Sequence, residues 1–135
     1  MGKIILDVND VCKSYNYGTN NLEVLKNFTL QLGKKEIVTI SGQSGCGKST
    51  ALNIMGTLDK QDSGTVSFEG IDVNQLDENS LANFRNTKIG FVFQFHHLLP
   101  ELTALENASI PMWIKGAPFQ ENDLIDLFET LGIKD

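Results

Sequence analysis

The sequence predicts an α/β domain built around a glycine-rich loop, and three observations carry that reading. A short apolar run, Glu36–Ile40, leads directly into a glycine-rich segment at residues 42–47. A stretch with helical spacing of apolar residues follows from Lys48 to Leu58. Further short apolar runs, Thr65–Phe68 and Ile89–Phe93, are separated by helix signals, the alternation expected of layered α/β folds.

Taken in order, Lys3–Val11 and Leu22–Leu32 are rich in Ile, Leu and Val and read as strands, with Gly18 as the turn residue of the polar stretch between them. Ile37, Val38 and Ile40 make Glu36–Ile40 a strand expected to be buried on both faces. In the helix Lys48–Leu58, Leu52, Ile54, Met55 and Leu58 are the expected buried side. Asp62-Ser63-Gly64 is a turn into the strand Thr65–Phe68, and Asp77 can cap a helix running to about Arg85. Ile89–Phe93 repeats the buried-strand pattern. Thr103-Ala-Leu-Glu106 is a capping box opening a short helix that Pro111 is expected to end. In Glu121–Leu131 the residues Leu124, Ile125, Leu127, Phe128 and Leu131 share one helical face. The chain thus divides into an antiparallel β region at 1–35, a core carrying the loop at 36–94 and the start of a helical part at 95–135.

Composition narrows the function. The 135 residues have room for one core, and 11 Lys and Arg against 17 acids give a formal charge of −6. A dedicated nucleic-acid binder shows a basic face instead, so no nucleic-acid partner is expected. Cys12 and Cys46 are too few for a disulfide framework, which points to a reduced, cytosolic compartment. The first residues lack a secretory leader pattern, and no segment approaches the ~20 apolar residues that span a bilayer. Any membrane role is expected to run through a partner. The adjacent His96 and His97 lie far along the chain from both cysteines, so no closed four-ligand metal set is apparent.

Gly42-Gln43-Ser44-Gly45-Cys46-Gly47-Lys48-Ser49-Thr50 fits G-x-x-x-x-G-K-[ST] between a predicted strand and a predicted helix. Gly42, Gly45 and Gly47 let the backbone curl so that successive N–H groups converge on phosphate oxygens. The helix beginning at Lys48 adds its positive end. Lys48 offers a cation to the β- and γ-phosphates, Ser49 a hydroxyl to Mg²⁺, and Thr50 a contact to the α-phosphate. Cys46 is small enough for the loop, and nothing in the pattern points to a catalytic role for it. The cofactors implied are ATP and Mg²⁺.

The flanking residues choose among phosphate-loop proteins. Ser41–Asn53, then Gly56-Thr57-Leu58-Asp59 and Asp62-Ser63-Gly64-Thr65-Val66, resemble the ABC ATPases, in which Leu-Asp-x-x-x-Ser-Gly follows the phosphate-loop helix. The resemblance runs the length of the chain and implies the phosphate-loop nucleoside triphosphate hydrolase fold of ABC ATPase type. It implies that Tyr15 stacks on adenine and that Gln94 is the glutamine whose side chain reaches Mg²⁺ and the attacking water. It also implies a second ATPase subunit, integral-membrane transporter subunits and a place on the cytoplasmic face of the bacterial inner membrane. Phe95-His96-His97-Leu98-Leu99-Pro100 and Thr103-Ala-Leu-Glu-Asn107 are similar to the lipoprotein-releasing branch. The macrolide-export and cell-division ATPases share the Leu-Pro and Thr-Ala-Leu-Glu-Asn parts, and a soluble, non-transport ABC ATPase stays open as well.

Residues 1–135 contain no Leu-Ser-Gly-Gly-Gln signature, no apolar strand ending in Asp-Glu and no switch histidine. Asp77-Glu78 is no substitute, because Val73-Asn-Gln-Leu76 before it is not an apolar strand. The chain therefore reads as the N-terminal part of one ATP-binding domain, expected to bind ATP and not to hydrolyse it alone. The phosphate-loop strand is expected to lack neighbours.

Overall fold

The structure, a computed structural model, describes residues 2–116, 118 and 120–133. It divides into two units, Met1–Ala82 and Asn83–Asp135.

The first unit contains a four-stranded sheet and the helix that follows the glycine-rich loop. β1 (Ile4–Tyr17) and β2 (Asn20–Gly33) form an antiparallel hairpin in which Val8 faces Leu30 and Tyr17 faces Asn20. Gly18, at φ 62, makes the reversal between them. β3 (Ser63–Phe68) pairs antiparallel with the other edge of β1, and β4 (Ile71–Asp72) pairs with β3, giving the order β2-β1-β3-β4. A central strand is covered most completely, and Leu6, Val8 and Val11 of β1 are buried with Val66 of β3. The register slips between Val8 and Val11 on the β2 side, with Asp10 at φ 49, which is the work of a β-bulge. The bulge explains the spacing of three where an unbroken strand would bury every second residue. α1 (Lys48–Met55) buries Ala51, Ile54 and Met55. Leu52 and Leu58 remain 54% and 47% exposed, contrary to expectation, because α1 stops at Met55 and Leu52 lies off the stripe that Ala51, Ile54 and Met55 define.

Gly64 sits against that bulge at φ 85, and a Cβ there would come within 2.6 Å of the Asn9 carbonyl oxygen and clash with the Asp10 carbonyl as well. Backbone cannot swing aside as a side-chain tip can. Gly64→Ala is expected to destabilise the protein by about 2–4 kcal/mol, combining left-handed strain with overpacking. Thermal unfolding followed by circular dichroism checks it; a melting temperature equal to wild type contradicts it.

Two expected strands do not form. Glu36–Ile40 has no ladder partner among the described residues, and Ile37 is 96% exposed. Ile89–Phe93 is likewise unpaired, with Val92 fully exposed. A strand apolar on both faces needs neighbours on both edges to pair its N–H and C=O groups, and no described strand lies beside either segment.

α2 (Glu78–Lys88) spans the division between the units. Asp77 caps it as expected, its Oδ1 accepting the Ser80 N–H at 2.7 Å. In the second unit α3 (Ala104–Lys115) opens on the expected capping box: the Thr103 hydroxyl accepts the Glu106 N–H while Glu106 accepts the Thr103 N–H at 2.7 Å. Pro111 does not end this helix, which continues to Lys115 and closes on Gly116. The ring removes only one rung, the N–H that would reach residue 107. The Pro111 carbonyl meanwhile accepts a hydrogen bond from Asn86 Nδ2 at 3.0 Å. α4 (Glu121–Leu131) forms as expected but buries only Leu124, leaving Leu127 and Leu131 exposed. No helix among the described residues is long and apolar enough to cross a membrane.

Candidate nucleotide site

The loop between Ile40 and α1 is built for close backbone approach. Gly47, the N-cap of α1, has φ 91, and a Cβ on it would meet Val24 Cγ1 at 2.9 Å and the Val24 carbonyl oxygen at 3.0 Å. Glycine therefore lets the loop rest against β2. The Cys46 N–H turns back to the Gln43 carbonyl at 3.4 Å. No side chain caps the start of α1 and no acid occupies its first turn, so the positive end of the helix is left for an external anion.

Lys48 reaches back over the loop. Its ammonium donates to the Gly42 carbonyl at 2.9 Å and the Gln43 carbonyl at 2.6 Å, with Cys46 Sγ at 3.7 Å. A cation held by neutral carbonyls can exchange them for phosphate oxygens at an electrostatic gain.

A cavity of about 390 Å³ joins this loop to the sheet. Tyr15, Leu22 and Val24 form its sheet side, while Ser44, Gly45, Gly47, Lys48, Ser49 and Thr50 form the other. One end is aromatic and aliphatic, the other cationic and rich in N–H donors, and the volume lies in the range of small-molecule sites. That division suits a molecule with a flat base and a polyphosphate. A second cavity of about 380 Å³, lined by Thr57, Gln61 and Val73 among others, contains no loop residue and offers no such division.

Sequence reasoning missed what holds Tyr15. Its Oη donates to Asp59 Oδ2 at 2.6 Å, and Lys13 Nζ donates to Asp59 Oδ1 at 2.8 Å. Burial pushes the Asp59 carboxyl up, but the bonds from Lys13, Tyr15 and the Lys60 N–H outweigh it, and the group ends below the usual carboxylate range. The hydrogen bond to Asp59 holds the Lys13 ammonium above its ordinary value, and the same acceptor, aided by burial, raises the Tyr15 phenol. Asp59 is therefore a carboxylate at neutral pH, and Lys13 and Tyr15 keep their protons. The signal was the Leu58-Asp59 pair of the motif after α1, which marks the position without giving its task.

Gln94 belongs to the second unit, exposed in the non-helical segment between α2 and α3. Around it Phe91 and Phe93 stack at 5.3 Å, and the His97 ring packs on Phe93 at 4.7 Å with its backbone at φ 52. Asn107 then ties the following turn to α3, accepting the Leu99 N–H and donating to the carbonyls of Leu99, Leu102 and Thr103. Phe95 and Leu98 stay 71% and 61% exposed on this pinned segment.

Residues 25–135 match the ABC transporter family model. The chain is 53% identical over 112 residues to the lipoprotein-releasing system ATP-binding protein LolD of Geobacter metallireducens, covering 83% of this chain and 50% of that protein. It is 47% identical over 117 residues to LolD of Bacteroides fragilis, covering 85% of this chain and 54% of that one. Among solved structures, the dimeric post-hydrolysis state of the ATP-binding cassette MJ0796 bound to ADP and Pi superposes with a TM-score of 0.81 at 44% identity, over 87% of this chain and 52% of the other. The chain spans about half the length of the curated relatives it matches.

Proposed function

Given that the chain belongs to the ABC transporter family, we propose that it carries the ATP-binding residues of a subunit that hydrolyses ATP to drive lipoprotein release from the bacterial inner membrane. The observation that carries the nucleotide part is the cavity that joins Tyr15 to the phosphate loop, with the Lys48 ammonium over that loop. In this reading the amides of Gln43–Thr50 and Lys48 hold the phosphates, and the Tyr15 ring takes the adenine face. Ser49 would offer an oxygen ligand to Mg²⁺, as would Gln94, and the ion would supply positive charge to the phosphates. Residues 95–135 begin the helical part of the domain. Two such subunits pair on ATP beneath integral-membrane partners at the cytoplasmic face; the dimeric form of the MJ0796 cassette supports the pairing.

The lipoprotein part rests on the LolD relatives and on the segment Gln94–Asn107. Phe95, Leu98 and Leu99 are exposed there although Asn107 fixes the backbone beside them, the condition of an apolar patch awaiting a protein. His97→Asp with Glu101→Lys puts an anion in place of the imidazole and reverses the charge at position 101, and aspartate tolerates the left-handed backbone at position 97. In the full-length protein with its membrane subunits, the pair is expected to lower lipoprotein release per ATP hydrolysed by about tenfold, the size expected when a charged interface contact is reversed, with ATP affinity unchanged. Normal release by the assembled variant contradicts the coupling role.

A further inference from the structure

Asp59 stands where two parts of the candidate site are joined. α1 begins at Lys48 in the phosphate loop and ends at Met55, a span of about 12 Å. After it Gly56 caps the helix and Thr57 adopts φ 59, a left-handed turn unusual for a β-branched residue. The N–H groups of Leu58 and Asp59 both return to the Asn53 carbonyl, at 2.8 and 3.2 Å, so Asp59 is fastened to α1 itself. Its carboxylate accepts from Tyr15 Oη, from Lys13 Nζ and, at 2.7 Å, from the Lys60 N–H. Lys13 also donates to the Lys60 carbonyl at 2.5 Å and lies 5.1 Å from the centre of the Tyr15 ring. Tyr15 lines the loop cavity; neither Asp59 nor Lys13 does. The pair braces the ring from outside the cavity.

We propose that Asp59 is a positioning residue for the nucleotide base: by holding the Tyr15 hydroxyl it fixes the aromatic ring relative to α1, so that one helix sets both the phosphate end and the base end of the site. A tyrosine otherwise free to change rotamer loses part of a stacking contact to disorder. The proposal rests on the reading of Tyr15 as the residue that meets the base. The bland alternative is that the Lys13–Asp59 pair only ties β1 to the end of α1. That role would affect every ligand of the loop alike.

The test compares Mg-ATP with Mg-tripolyphosphate, which has no base, by titration calorimetry on the full-length protein. Asp59→Ala is expected to weaken ATP about five- to tenfold and tripolyphosphate by less than about twofold, the scale of one aromatic stacking contact. In the Tyr15→Ala background the same change is expected to have almost no further effect, since the ring it positions is gone. Equal weakening of both ligands by Asp59→Ala overturns the proposal. Where Asp59→Ala does not fold, Tyr15→Phe removes only the hydroxyl that Asp59 holds, and an expected loss of about threefold for ATP alone replaces it. ATP affinity unchanged in Tyr15→Phe while Tyr15→Ala weakens it overturns the role of Asp59 but leaves Tyr15 at the base. ATP affinity unchanged in Tyr15→Ala overturns the base reading, and the role of Asp59 with it.

Discussion

Lys48→Ala in the full-length protein is expected to weaken Mg-ATP binding by at least about a hundredfold, the value of two charge-assisted hydrogen bonds, while the fold persists. Its ammonium is the cation that bends over the glycine-rich loop, bonded to the Gly42 and Gln43 carbonyls at 2.9 and 2.6 Å. Both acceptors are exposed, so water can replace the lysine there and the cost to stability is small. The core beneath, Ala51, Ile54 and Met55 of α1, is untouched. Titration with a fluorescent ATP analogue beside a circular dichroism melt separates the two effects. Unchanged affinity contradicts the assignment of the loop.

The second large effect is an absence of turnover. The 135-residue chain, purified alone, is expected to release phosphate from ATP at least about a thousandfold more slowly than the ~1 per second of ordinary enzymes. Hydrolysis of this kind needs a carboxylate to orient the attacking water and charge stabilisation from a second subunit. No strand ending in Asp-Glu occurs within the sequence, and the one Asp-Glu pair is otherwise engaged. Asp77 accepts the Ser80 N–H at the start of α2, and that backbone bond holds its carboxyl below the usual range. A helix cap with depressed basicity is a poor general base. Lys48-dependent phosphate release near ordinary enzyme rates contradicts this division of labour.

How much of this was legible in the sequence differs by element. The backbone path of the glycine-rich loop was, because glycine answers a local need there, as Gly45 and Gly47 do at φ 81 and 91. The caps were as well, since Asp77 and the Thr103–Glu106 box act on N–H groups three residues away. The hairpin ran longer than its apolar pattern suggested, because strand pairing carries polar residues such as Asn16 and Asn21 along with it. Glu36–Ile40 and Ile89–Phe93 read as buried strands from composition alone, yet a ladder needs a neighbour that no local pattern supplies. Pro111 was overvalued as a breaker, because the capping box sustains a helix that loses one rung. The brace on Tyr15 was invisible for another reason. Lys13 and Asp59 are 46 residues apart, and their meeting depends on the bulged register of β1 and the left-handed turn at Thr57.

The proposed nucleotide pose puts the base at Tyr15 and the phosphates over the loop at Gly42–Thr50. Photolabelling the full-length protein with an azido-adenine analogue of ATP, followed by peptide mapping, addresses it directly. The label is expected on the peptide containing Tyr15, to be suppressed by excess Mg-ATP and to vanish in Lys48→Ala, since phosphate capture delivers the base to the ring. ATP-protected label on any other peptide, with none at Tyr15, contradicts the account.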